Sequence, residues 1–130
     1  MNGERLVLDA GAVRRLAERE GRTLALVSAL RAYGLWPPLV PTVALVESLT
    51  GDAERDEPVL RLLRTCELVA EVPVPVARRA AWLRTAAGRG TAAEAVVVAL
   101  AEPGGAVLSG GRRDLEALAL FAEDVFVEPA

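Results

Sequence analysis

Short apolar runs alternate with longer helical stretches along this chain, and no other feature restricts the fold as strongly. Arg5-Leu-Val-Leu-Asp-Ala10 predicts a buried strand with Asp9 at its C-terminal end. Further strands are expected at 67–74, 106–109 and 124–127. Between them, Val13, Leu16, Ala17, Leu24, Val27 and Leu30 recur near helical spacing, with Gly21 expected to split residues 13–33 into two helices. The proline-rich piece 35–41 reads as a loop or a short extended segment. Pro41 suits the first turn of a helix reaching about Thr50, where Gly51 stops it. Helices are also expected from Glu57-Pro58 onward, over 76–87, over 91–102 and over 113–122. This alternation predicts an α/β fold: one domain over residues 1–130, a three-layer sandwich around a mostly parallel sheet of about four strands.

Composition narrows the chemistry. Hydrophobic residues make up 52% and charged residues 25%, a globular balance, while aromatics supply only 4%, so Ala, Val and Leu must build the core. There is no His, and hence no imidazole base or His metal ligand. There is no Lys, which removes a P-loop lysine and a Schiff base. Cys66 stands alone and forms no disulfide within the chain. The start, MNGERLVLDA, lacks the basic and long apolar segments of a signal peptide, and no apolar run is long enough to span a bilayer, so a cytoplasmic location without membrane contact is expected. A net charge of −3 argues against bulk attraction to nucleic acid but leaves room for a local arginine patch or a metal.

Functional groups of a parallel sheet gather beyond the C-terminal ends of its strands, which is where Asp9 is expected. Phosphatases of the haloacid dehalogenase kind need a second Asp two residues on, and Gly11 stands there. Receiver domains need a lysine, and dinucleotide folds need G-x-G-x-x-G after the first strand; both are missing. Four segments, in order, fit another pattern: Leu6-Val-Leu-Asp-Ala10, Val40-Pro-Thr-Val-Ala-Leu-Val-Glu47, Glu94-Ala-Val-Val-Val-Ala-Leu-Ala101 and Ala106-Val-Leu-Ser-Gly-Gly-Arg-Arg-Asp-Leu115. With them the chain resembles the PIN domain, the metal-dependent ribonuclease fold of VapC-type toxins.

The resemblance implies Asp9, Glu47 and Glu94 as catalytic acids and ligands of Mg²⁺ or Mn²⁺, with Ser109 as an outer-shell group. It also implies an RNA substrate, a cognate antitoxin and a homodimer. Oxygen-only ligands suit these hard cations, and metal-assisted hydrolysis needs no His, Lys or Cys. The family's third acid is usually Asp, and here it is Glu94. Its fourth has no counterpart, since Gly111 stands at that position; without it the fold could persist as a catalytically weak or inactive binding module. Asp114, three residues on, reads as a helix-start acid. Thr91-Ala-Ala-Glu94 also fits a capping box, an alternative use for the Glu94 carboxylate. Glu47, between apolar neighbours, is expected to be partly buried, and the charge run Asp52, Glu54, Asp56, Glu57 to be a solvated loop. Arg14, Arg15, Arg112 and Arg113 follow strand ends, where they could contact phosphate.

Overall fold

The computed structural model describes residues 5–130, apart from the side chains of Glu20 and Arg112. Among these residues the chain forms β1 (Leu6–Leu8), α1 (Ala10–Glu18), α2 (Glu20–Ala32), β2 (Leu39–Pro41), α3 (Thr42–Ser48) and α4 (Ala53–Leu63). It continues with β3 (Glu67–Val69), α5 (Val74–Ala87), α6 (Ala92–Ala101), β4 (Ala106–Ser109), α7 (Arg112–Ala119) and β5 (Phe126–Pro129). All strand pairs are parallel, in the order β3-β2-β1-β4-β5. The chain builds the sheet outward from β1 to β3, then returns to lay β4 on the other side of β1. The order therefore reverses between β1 and β4.

Side-chain alternation along the short strands divides the interior into two cores. Leu6, Leu8, Val40 and Leu108 point to one face and pack with Val13 and Leu16 of α1, Trp36, Ala44, and Val59, Leu62 and Leu63 of α4. Val7 and Val107 point to the other, against Leu83 of α5, Val96 to Val98 of α6, and Leu115 and Leu118 of α7. Helices cover both faces, giving three layers, and β1 has no exposed residue. None of the described helices is long and apolar enough to cross a membrane.

Local differences from the sequence expectation have identifiable causes. The proline-rich segment contributes a fifth strand, β2, in register with β1 at Val7↔Leu39 and with β3 over its whole length. Pro41 ends that strand as the extended N-cap of α3 and does not sit inside the helix. The break after α1 falls at Arg19, not Gly21, because the Thr23 hydroxyl donates to the Leu16 carbonyl across the bend. Helix α4 starts at Ala53, before Glu57-Pro58, because Asp52 accepts the amides of Glu54 and Arg55 and caps it there. Helix α5 takes over Val74, shortening β3 to Glu67–Val69.

The charge run at 52–57 is not simply a solvated loop. Asp56 is buried, and its carboxylate accepts the Thr50 amide at 2.9 Å, the Thr50 hydroxyl at 2.8 Å and the Gly51 amide at 2.8 Å. It thereby fixes the connection from α3 to α4.

Candidate functional site

A cavity of about 670 Å³ lies beyond the C-terminal ends of β1 and β4, at the reversal of strand order. Ligands of open parallel sheets bind at such reversals, because the loops leaving the two strands part there and expose the crevice between them.

Asp9 forms its floor. The residue follows β1 and is the N-cap of α1, with extended backbone, and it is 7% exposed. Its Oδ1 accepts the Ala12 amide at 2.7 Å and the Gly110 amide at 3.2 Å. Its Oδ2 accepts the Ser109 hydroxyl at 2.8 Å. Ser109, buried at the end of β4, in turn accepts the Gly111 amide at 2.9 Å. A buried carboxylate is tolerated when donors satisfy it, and these three also fix its orientation. Two glycines make the arrangement possible. A Cβ on Gly110 would stand 2.5 Å from the carbonyl carbon of Gly11, so only glycine lets the loop after β4 lie against the turn after β1.

The other acids approach from separate elements. Helix α1 presents Gly11, Arg14, Arg15 and Glu18 to the cavity, the i, i+3, i+4, i+7 face opposite its apolar stripe. Glu47 lines the cavity from the end of α3 but is exposed, not partly buried as its neighbours suggested. On this short helix Val46 also faces outward, at 80% exposed, and Ser48 is buried instead. Glu94 enters from α6 and Asp114 from α7.

Of the two suggested uses of Glu94, the capping box is formed, and the residue also borders the cavity. Its Oε1 accepts the Thr91 amide at 2.9 Å while the Thr91 hydroxyl accepts the Glu94 amide at 3.1 Å, a complete capping box, yet the same residue lines the cavity. Asp114 is likewise more than a helix-start acid. It stands at the cavity wall in the third position of α7, and it pairs with Arg89 at 2.7 Å. Its membership, and that of Glu18, was not evident from the sequence. For Glu18 the signal was its spacing from Arg14 and Arg15. For Asp114 it was the first-turn position after the β4 loop.

The arginines divide. Arg14 and Arg15 line the cavity. Arg113 is exposed and not among the lining residues. The side chain of Arg112 lies outside the described residues.

The donor set has the right chemistry for a hard divalent cation, since the ligating atoms on offer are oxygens. It is not a closed chelate in this conformation. Among the described residues no three acidic or thiol side chains stand close enough together to hold one ion. Asp9 and Glu94 are engaged with backbone amides, and Glu47 is exposed.

Compared with known protein families, with curated proteins and with solved structures, the chain matches none of them.

Proposed function

We propose that the cavity is a Mg²⁺- or Mn²⁺-dependent site for hydrolysing RNA phosphodiesters, and that the protein is the toxin member of a toxin–antitoxin pair. One observation carries this reading: Asp9, Glu47 and Glu94, far apart in sequence and on three different elements, line one cavity at the reversal of the sheet. Asp9, Glu47 and Glu94 are the residues that would hold the cation. A bound cation supplies an activated water and stabilises charge on the phosphodiester. The protein's own contribution is orientation. Ser109, Ala12 and Gly110 hold the Asp9 carboxylate in place, and α1 brings guanidinium groups to the cavity wall.

The remaining parts of the reading follow from the family resemblance: a cytoplasmic protein, a homodimer, and an antitoxin that silences it. Trp82, Phe121, Leu120 and Phe126, large apolar side chains left on the surface, support a face that another protein covers.

Cleavage of a mixed-sequence RNA in Mn²⁺, with and without chelator, tests the reading. Wild type is expected to cleave only with the metal, and Asp9→Ala not at all. Equal cleavage by the two proteins would overturn the site.

A second reading, a binding module of the same fold without turnover, is favoured by Gly111 in place of a fourth acid and by the engaged state of Glu94. It predicts RNA or partner binding with no metal-dependent cleavage.

A further inference from the structure

The cavity wall carries five carboxylates, from Asp9, Glu18, Glu47, Glu94 and Asp114, against two guanidinium groups, from Arg14 and Arg15. Such a surface repels a phosphodiester unless cationic donors meet it directly. The two arginines are adjacent in sequence but are placed differently. Arg14 is exposed, and its terminal nitrogen donates to the main-chain carbonyl of Glu47 at 2.7 Å, tying α1 to the end of α3. Arg15 is half-buried at the cavity wall, and its guanidinium makes no hydrogen bond or ion pair among the described residues. Glu18, one turn further along the same helix, does not pair with it, although acids three or four residues apart on a helix can. A partly buried guanidinium left without an anion, beside carboxylates that ignore it, is an incomplete arrangement: its five donors have no protein acceptor.

We infer that Arg15 is the residue that contacts a backbone phosphate of the RNA, and that Arg14 is a structural tie between α1 and α3. This rests on the proposed RNA-cleaving function and assigns the substrate contact within it. The two arginines would look equivalent from sequence; their different partners separate them. The planar fork of Arg15 can engage two oxygens of one phosphodiester, which places the backbone across the cavity above Asp9.

The experiment is the binding of a fluorescein-labelled single-stranded RNA of mixed sequence, followed by anisotropy across a series of KCl concentrations, with chelator present so that no cleavage intervenes. For single-stranded nucleic acid, each phosphate that a cationic side chain neutralises adds about 0.7 to the slope of log K against log salt. Arg15→Gln is expected to reduce the slope by that amount and to weaken binding roughly tenfold, the scale of one charge-assisted hydrogen bond. Arg15→Lys is expected to keep the slope and recover only part of the affinity, since it retains the charge without the fork. Arg14→Gln is expected to lower the melting temperature while leaving the slope unchanged. An unchanged slope in Arg15→Gln, or an equal reduction in Arg14→Gln, would overturn the assignment while the nuclease reading stands. Failure of the wild type to bind RNA at all, in chelator and with Ca²⁺ in its place, would overturn both.

Discussion

Two buried aspartates in this molecule solve the same problem in opposite ways. Asp9 and Asp56 are both almost removed from solvent, and each accepts hydrogen bonds from main-chain amides and from one hydroxyl. The donors of Asp56 are Thr50 and Gly51, six and five residues away in the same turn. The donors of Asp9 include Ser109 and Gly110, about a hundred residues away, brought to it by the pairing of β1 with β4. Asp56 closes a local connection. Asp9 joins two strand ends at a cavity lined by other acids. Burial and hydrogen bonding alone therefore do not mark a functional acid. What distinguishes Asp9 is that distant elements converge on it and leave a crevice open.

The sharpest way to break this contrast is substitution of each aspartate in turn. Asp9→Asn is expected to lower Mn²⁺-dependent RNA cleavage to background, a loss of at least about a hundredfold, measured against a chelator control. Asp56→Asn is expected to leave cleavage unchanged and to lower the melting temperature by a few degrees, as read by thermal unfolding. Cleavage falling equally in both would erase the distinction.

Acid titration sharpens the same comparison. The amide of Thr50, followed by the Thr50 hydroxyl, the Gly51 amide and the charge of Arg55, holds the Asp56 carboxyl below its ordinary range, although burial opposes them. A group with a depressed folded pKa stabilises the protein above its unfolded pKa, and that contribution disappears as the pH falls through the folded value. Unfolding stability of the wild type should therefore decline as the pH drops below about 4, and Asp56→Asn should show a shallower decline. The Arg79 guanidinium holds the Glu102 carboxyl down through the bidentate pair that bridges α5 and the end of α6, so part of the acid slope should survive in that variant.

A gain of function comes next in size. Gly111 has ordinary extended backbone, and a Cβ built on it meets nothing within 4 Å. Gly111→Asp therefore places a carboxylate at the open wall without strain and is expected to tighten Mn²⁺ binding about tenfold in a calorimetric titration. As the residue is also the uncapped N-cap of α7, the change should add a few tenths of a kcal/mol to stability.

The smallest expected change is at the Glu94 cap. Thr91→Ala removes the hydroxyl half of the capping box and should cost about 1 kcal/mol in denaturant unfolding. The Thr91 amide that holds the Glu94 carboxylate is retained, so Mn²⁺ affinity should stay level. A fall would mean that the capped geometry is itself needed for binding.

Much of the fold was legible because parallel strands buried on both faces are continuous apolar runs; Leu6-Val-Leu8 and Val107-Leu108 could hardly be anything else. Strand β2 was harder to see, since Leu39-Val-Pro41 follows two prolines and only the neighbours it pairs with define it. Asp9 and the Glu94 capping box were legible from a strand end and a T-x-x-E spacing. The cavity positions of Glu18 and Asp114 were not, because they depend on how α1 and α7 lie across the sheet. The role of Asp56 was hidden for a related reason: a charge run looks solvated until a turn folds back and supplies donors to one of its members.

The central claim, that the converging acids form a cation site while the local one does not, is tested most directly by titrating Mn²⁺ calorimetrically into wild type, Asp9→Asn and Asp56→Asn. Saturable binding in wild type and Asp56→Asn, abolished in Asp9→Asn, is the predicted result. No binding to wild type, or equal binding to Asp9→Asn, would contradict it.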